Sequence, residues 1–434
     1  MAMTRKRKTI LASIGAVVLV FFVYLLIDES LRPEVNADLE YKPAYVDPKQ
    51  NGYYAYLGLR AEPGMDPWQA GWKVQQVFDR YLADGGSEDN IPVEKYTWVD
   101  HIELKSGNMR QYFGCGGGDC FSAVKFHRTI VAESLPQYQE VLARYNKMQT
   151  YPAFQETVAA PGLTGRILLH QLFQAKVSLM WQTGKKQTAL QMLIDDLAYW
   201  RRISVNDTGM TMKMVISAMI DVDMKLYGAL ISSDMTFLAK QGLPQQITNA
   251  FTTQELSLQH QFRREFQRYA QIIRRIHAGQ QDGNPLFKLL FFKQNATINA
   301  LHTRLSSVVS LNTVPWEKFP EAYIAHKAWL NTAESESRIY NHVGNMLVEI
   351  AKHPYESYIV QMHFTEALRR LVVLKYHLNH NGIKISDIPA WLSKQDKSLG
   401  HLYTAEPAGY DKDRNELYFD MSMVNGKKVR LTLQ

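Results

Sequence analysis

Two close pairs of carboxylates could do acid–base chemistry. Asp195 and Asp196 are adjacent, and Asp221 lies two residues before Asp223. Both pairs fall in segments of helical periodicity, so two neighbouring helices would carry them. Such a pair can cleave a glycoside when one acid protonates the leaving group and the other acts as base or nucleophile. That chemistry needs a fixed separation across a cleft. Solvated helix faces or interhelical hydrogen bonds need no cleft, and both interpretations stay open.

A serine and a lysine stand one helical turn apart, at Ser122 and Lys125. In penicillin-binding enzymes this Ser-x-x-Lys spacing lets the amine activate the hydroxyl. The companion Ser-Asp-Asn and Lys-Thr-Gly elements are absent from the sequence. The pair is therefore an incomplete signature of a hydrolase.

Histidines and carboxylates recur late in the chain without completing a ligand set. The patterns are Glu349-x-x-x-His353, His363-x-x-Glu366 and His377-x-x-His380. A di-iron bundle needs two Glu-x-x-His motifs plus two further glutamates, and a zincin needs His-Glu-x-x-His. Neither motif set occurs, and nucleotide-binding loops and the Gly-x-Ser-x-Gly elbow are also missing. The sequence thus predicts no catalytic residue, metal or cofactor.

Both cysteines lie in one glycine-rich segment, 113–120, as Cys115 and Cys120. Three of the four residues between them are glycines, so the chain can fold back and bring the sulfurs together. An exported body would meet an oxidising compartment, and we predict a disulfide there. A redox pair or a zinc site remains an alternative. The first more often has Cys-x-x-Cys spacing, and the second needs four ligands.

A charge-free apolar segment runs from Ile10 to Ile27, long enough to cross about 27 Å of hydrocarbon as a helix. Four basic residues stand just before it: Arg5, Lys6, Arg7 and Lys8. Because positive flanks stay in the cytoplasm, we predict a cytoplasmic tail at 1–9, a transmembrane helix at 10–27 and an exported body. A cleaved signal peptide would have a shorter apolar run and a small-residue site, which the end of this segment lacks.

The net charge of +7 belongs largely to those four basic residues, and without them the balance is only +3. So small a charge gives no electrostatic reason to expect a nucleic-acid partner. The hydrophobic share of 46% and the charged share of 21% are typical of a folded globular protein.

Helical periodicity dominates the predicted body at 67–395, which follows a Pro/Tyr-rich stalk at 28–66. Apolar stripes on both sides of Gly184 predict a helical hairpin. No 34-residue repeat accompanies it, so an irregular bundle and a solenoid of helical hairpins both stay open. In the segment 396–434, two extended runs flank the turn pair Asn425-Gly426. The predicted fold class is mainly α, with one N-terminal transmembrane helix and a small C-terminal β-hairpin.

Three stretches resemble a known group of proteins: NGYYAYLG at 51–58, KQNATIN at 293–299 and ALRRL at 367–371. With the apolar segment and the cysteine loop, they make the chain similar to uncharacterised single-pass inner-membrane-anchored helical proteins of Gram-negative bacteria. The resemblance implies an inner-membrane anchor with a cytoplasmic N-terminus and a periplasmic body. It implies no function and no site residue.

The missing motifs and the predicted topology favour a non-catalytic envelope protein that holds a protein or peptide partner in helical grooves. An assembly factor, chaperone or scaffold would fit this description. The alternative is an envelope-acting hydrolase that uses the carboxylates or the Ser-x-x-Lys pair. An enzyme should bring at least two of these groups within hydrogen-bond reach in one cleft.

Overall fold

The computed structural model describes residues 5–83, 120–157, 163–278, 290–333, 340–351 and 355–433. Its described part is mainly helical, which confirms the predicted class. The first helices are α1 (Arg5–Leu26), α2 (Pro33–Glu40), α3 (Gly52–Leu57), α4 (Pro67–Ala83), α5 (Cys120–Phe126), α6 (Arg128–Ser134) and α7 (Gln139–Met148). The central helices are α8 (Leu163–Gln182), α9 (Lys186–Ile203), α10 (Met210–Ser233), α11 (Met235–Gln241), α12 (Gln245–Thr248), α13 (Thr253–Leu256) and α14 (Gln259–His277). The last are α15 (Gln294–Leu311), α16 (Phe319–Ala333), α17 (His342–Ile350), α18 (Glu356–His380), α19 (Ile388–Leu392) and α20 (Ser422–Asn425).

Two compact units share the chain, and each is discontinuous in sequence. The first unit contains the described residues of 1–42, 262–314 and 321–356. The second contains those of 43–261, 315–320 and 357–434.

Within the first unit, α15 and α17 pack closely because a glycine leaves room between them. A Cβ atom on Gly344 would lie 1.9 Å from Oγ1 of Thr297, so no larger residue fits without a shift. The buried Asn341 side chain donates to the same hydroxyl at 2.9 Å. The close approach therefore also satisfies a buried polar group.

The N-terminal helix α1 covers the predicted apolar segment except for its last residue. Most large apolar side chains between Ile14 and Ile27 are 46–68% exposed, whereas Leu25 is 4% exposed. Across the described ranges, no helix has both the length and the apolar character needed to cross a membrane. This finding does not support the transmembrane helix predicted at 10–27.

The second unit contains the predicted helical hairpin, formed by α8 and α9. Gly184 ends the first helix with a φ of +88°, a conformation that glycine adopts without strain. Helix α10 packs against both members of the hairpin. Its core-facing side chains include the methionines Met212 and Met224, both fully buried.

The second half of the predicted stalk is docked chain. Tyr53, Tyr54 and Tyr56 on α3 are at most 3% exposed. Gly71 on α4 permits this packing, since a Cβ there would lie 1.8 Å from the carbonyl oxygen of Tyr54. The aromatic side chains thus form part of the core of the second unit.

A three-stranded antiparallel sheet closes the chain, in the order β1 (Gly409–Asp411), β2 (Glu416–Asp420) and β3 (Lys428–Thr432). The predicted hairpin corresponds to β2 and β3, where Tyr418 pairs with Arg430. Its connection is the short helix α20 rather than the predicted two-residue turn. Gly426, with φ +71°, ends this helix.

Candidate functional site

One histidine and two aspartates meet in the interior of the second unit. Helix α8 supplies His170, α9 supplies Asp196, and α10 supplies Asp223. The Nε2 atom of His170 lies 2.9 Å from Oδ2 of Asp196 and 3.1 Å from Oδ1 of Asp223. The three side chains are at most 2% exposed. A single ring nitrogen thus serves two carboxylates in a place that water does not reach.

Asp196 has several further donors. The Tyr145 hydroxyl donates to its Oδ1 at 2.8 Å, and the Gln149 side-chain amide donates to the same oxygen. The indole N–H of Trp200, one helical turn further along α9, lies 3.2 Å from Oδ2. Each donor favours the ionised carboxylate, so these contacts offset part of the cost of burying a charge.

Asp223 has fewer partners. Besides His170, its Oδ1 accepts from the side-chain amide of Gln174 at 3.1 Å. Its Oδ2 and the amide oxygen of Gln174 are both buried without a hydrogen-bond partner. Two buried acceptors, one on each residue, therefore lack the partner that buried polar groups normally have.

Burial and the neighbouring charges shift the pKa values of His170, Asp223 and Tyr145. Burial alone would lower the pKa of His170, but the charges of Asp223 and Asp196 outweigh it and raise that pKa to about 10. Burial and the charge of Asp196 raise the pKa of Asp223 to about 8. For Tyr145, burial and both carboxylates raise the pKa well above its ordinary value. These shifts favour the protonated forms of both His170 and Asp223 at neutral pH.

The two candidate carboxylate pairs are each split by helix geometry. Neighbouring helical residues point about 100° apart, so Asp195 faces outward while Asp196 faces the core. The exposed Asp195 accepts from Gln191 at 2.8 Å. Asp221 accepts from Gln361 at 3.0 Å, and burial raises its pKa to about 6. The structure thus brings together one member of each pair.

The remaining hydrolase candidates lie apart from this cluster. Ser122 and Lys125 are exposed on α5. In the late helical region, His363 is buried against the Tyr403 hydroxyl at 3.0 Å. The nearby Glu366 forms ion pairs with Arg369 and Arg370 at 2.7 and 3.1 Å. His363 and Glu366 therefore have packing and pairing roles.

The predicted disulfide falls at the edge of the described chain. Cys120 begins α5 and is 4% exposed, but Cys115 and the rest of the loop lie outside the described residues. The pairing therefore stays a prediction. For the basic block Arg5, Lys6, Arg7 and Lys8, only the helical backbone is described.

The arrangement resembles a set of metal ligands more than an open catalytic centre. In the described part of the chain, the nitrogen of His170 and one oxygen each of Asp196 and Asp223 lie within 4.8 Å of one another. A hydrolytic substrate would need access that these buried groups do not offer. Sequence reasoning found the two aspartates and missed His170. The available signal was that His170 and Gln174 lie one helical turn apart on the same face of α8.

Comparisons with protein-family models, with curated proteins and with solved structures found no match. The resemblance to inner-membrane-anchored proteins stays a prediction.

Proposed function

We propose that this protein is a non-catalytic factor of the bacterial envelope, held at the inner membrane by 10–27, whose helical body binds a protein partner. The N-terminus would be cytoplasmic and the body periplasmic. The observation that supports this proposal most directly is the junction between α1 and the rest of the first unit. There the chain leaving the apolar helix is fixed by hydrogen bonds to residues more than 260 positions away.

Asp28 caps the N-terminus of α15. Its carboxylate accepts from the backbone N–H of Asn295 at 2.9 Å and of Ala296 at 3.1 Å. The α15 sequence supplies no such cap itself, since the preceding Lys293 makes no side-chain capping bond. A carboxylate also complements the positive end of the helix dipole. The residue that follows the apolar segment is therefore part of the folded unit.

Further contacts fix the same junction from both sides. The Lys293 amine donates to the carbonyl oxygen of Leu25, and the Tyr340 hydroxyl donates to that of Ile27 at 2.7 Å. Arg32 donates to the carbonyl oxygen of Asn299 at 2.6 Å. A flexible tether would make no such contacts. The arrangement suits a body held in a defined orientation at a membrane surface.

The apolar sequence between Ile10 and Ile27 and the basic residues before it support the anchor. Exposed apolar side chains occur along α1 from Ile14 onward. Such a surface is costly in water and favourable in lipid. In the proposed arrangement, α1 lies in the bilayer and the body binds the partner.

The proposed partner surface includes two exposed apolar side chains on neighbouring helices. Phe126, at the end of α5, is 85% exposed, and Ile130 on α6 is 40% exposed. They are four residues apart. Large exposed apolar side chains are frequent where proteins bind one another.

An envelope hydrolase remains the second candidate because Asp196 and Asp223 do converge on His170. Its difficulty is access, since both carboxylates are 0% exposed. A hydrolase would also lose its activity in Asp196→Asn, whereas the binding proposal expects no hydrolytic activity in the unaltered protein.

The topology is tested by protease accessibility in spheroplasts. We expect external protease to digest the body while a tag before Arg5 stays protected. A control in which Arg5, Lys6, Arg7 and Lys8 are all replaced by alanine should lose this fixed orientation. Release of the intact body from washed membranes by alkaline carbonate would contradict the anchor.

Partner binding is tested with photo-crosslinking residues at Phe126 and Ile130 in the membrane-embedded protein. The matched control is the exposed Arg128, which lies between them. We expect one reproducible envelope protein to be crosslinked from the two apolar positions and much less from Arg128. Equal labelling from all three positions, or no reproducible product, would overturn the proposal.

A further inference from the structure

We infer that His170, Asp196 and Asp223 form a binding site for one divalent transition-metal ion of the zinc type, with the amide oxygen of Gln174 as the fourth ligand. The ion would have a structural role, joining α8, α9 and α10 in the core of the second unit. This inference is independent of the proposed membrane anchor and partner.

The separations between the donor atoms suit such an ion. Zinc lies about 2.0–2.2 Å from imidazole nitrogen and carboxylate oxygen, so tetrahedral ligand atoms are roughly 3.3 Å apart. The observed separations from Nε2 of His170 are 2.9 Å to Asp196 and 3.1 Å to Asp223. These two separations are a few tenths of an ångström shorter than in a tetrahedral zinc site, and the three donor atoms all lie within 4.8 Å of one another.

The unpartnered atoms point to the same ligand independently of these distances. Oδ2 of Asp223 and Oε1 of Gln174 are both buried without a hydrogen-bond partner. Both side chains are 0% exposed. The Gln174 amide lies at the cluster because its nitrogen is 3.1 Å from Oδ1 of Asp223. An acceptor without a hydrogen bond keeps lone pairs that a cation can use, and in the proposed site the Gln174 amide turns so that its oxygen rather than its nitrogen faces Asp223.

The donor types and charges select the class of ion. One imidazole, two carboxylates and an amide oxygen suit zinc or manganese, whereas copper(I) prefers thiolate or thioether ligands. Two ionised carboxylates balance a divalent cation, which matters in a core without water. Surrounding groups resemble a second ligand shell, because Tyr145 and Trp200 both donate to Asp196.

A proton is the competing occupant. A protonated Asp223 could share its proton with the carboxylate of Asp196, with which it interacts by a hydrogen bond, and the cluster would then need no metal. One substitution distinguishes a bound metal from a bound proton. Asp223→Asn imitates the neutral acid and should preserve a proton-based network, but it removes a metal ligand.

The experiment measures the metal content of the full chain, purified in mild detergent and passed through gel filtration. The protein is stripped with a chelator and reloaded with zinc chloride, with manganese chloride in a parallel arm. We expect close to one equivalent of retained metal and a rise in Tm that saturates at that equivalent. X-ray absorption of the zinc form should show nitrogen and oxygen ligands without sulfur.

Variants of single residues test which side chains bind the metal. Asp223→Asn and His170→Asn should each lose the retained equivalent, while the matched changes Asp221→Asn and Asp195→Asn should keep it. Retention in Asp223→Asn, or no retained metal and no Tm change in the unaltered chain, would overturn the inference. The last result is decisive without any variant, so a failure of one variant to fold leaves the test intact.

Discussion

At the scale of single residues, Asp195 and Asp196 differ only in the face of α9 that they occupy. Asp196 is 0% exposed and accepts from Tyr145, Gln149 and Trp200. Removing a buried charge partner leaves the opposing groups unpaired, which is more costly than losing one exposed hydrogen bond. The same amino acid thus has very different consequences at two adjacent positions.

We therefore expect Asp196→Ala to lower the free energy of unfolding by about 3–5 kcal/mol. The matched change Asp195→Ala should alter it by at most about 0.5 kcal/mol. Urea unfolding of both variants beside the unaltered chain measures the difference. Similar losses in the two variants would contradict the buried role of Asp196.

His363 provides a pH dependence that can be isolated from that of other groups. Burial lowers its pKa to about 3, far below the ordinary value of 6.5. Between these values the unfolded chain binds a proton that the folded chain does not. Stability from this residue is therefore complete above pH 6.5 and is lost as the pH falls towards 3.

We expect the unfolding free energy of the unaltered chain, relative to that of His363→Gln, to fall by about 2 kcal/mol between pH 7 and pH 5. Glutamine can keep a hydrogen bond to Tyr403 but does not titrate. Chemical unfolding at intermediate pH values gives the difference. A relative stability that stays constant over this range would show that folding does not lower the pKa of His363.

At the scale of elements, α15 depends on a cap supplied from far away in sequence. We expect Asp28→Ala to cost about 1 kcal/mol locally and to speed amide exchange in the first turn of α15 about fivefold. The control is Glu40→Ala, which changes an exposed residue at the end of α2. Hydrogen-exchange mass spectrometry of peptides covering 293–299 measures both. Unchanged exchange in Asp28→Ala would mean that other contacts hold this turn.

Local patterns predicted some elements well and others poorly. The hairpin of α8 and α9 was predictable because apolar periodicity and a glycine stop act within the segment. Strand β1 has only three residues, too few for alternation to be visible. The turn at Asn425-Gly426 became the end of α20, because the glycine suits a helix end as well as a hairpin.

The cluster shows the limit of such patterns at the site. Helical spacing places Asp195 and Asp196 on different faces, but it does not say which face meets the core. His170 lies 26 residues before Asp196 and shares no motif with it. Only the packing of three helices joins these groups, and that information is not local.

At the scale of the whole molecule, the chain order and the folded units do not coincide. Residues 1–42 belong to the first unit together with residues from the second half of the chain. The Asp38 carboxylate accepts a hydrogen bond from Nε of Arg263 at 3.0 Å. Its other oxygen lies within hydrogen-bond distance of Nε2 of His302, also at 3.0 Å. The side-chain amide of Gln267 donates to the carbonyl oxygens of Asp38 and Tyr41, each at 2.8 Å. The N-terminal segment thus belongs to the core of the first unit rather than to a spacer.

A chain that begins at residue 43 should therefore lose order selectively. Without Asp28, Arg32 and Asp38, we expect peptides of α14 and α15 to exchange amide hydrogens at least about tenfold faster, as for a local loss of about 1.4 kcal/mol. Peptides of α9 and α10 provide the internal control, because their helices pack within the second unit. Both proteins are compared in the same detergent. Unchanged protection of α14 and α15 would show that the N-terminal contacts do not stabilise these helices, and faster exchange throughout would show that the two units unfold together.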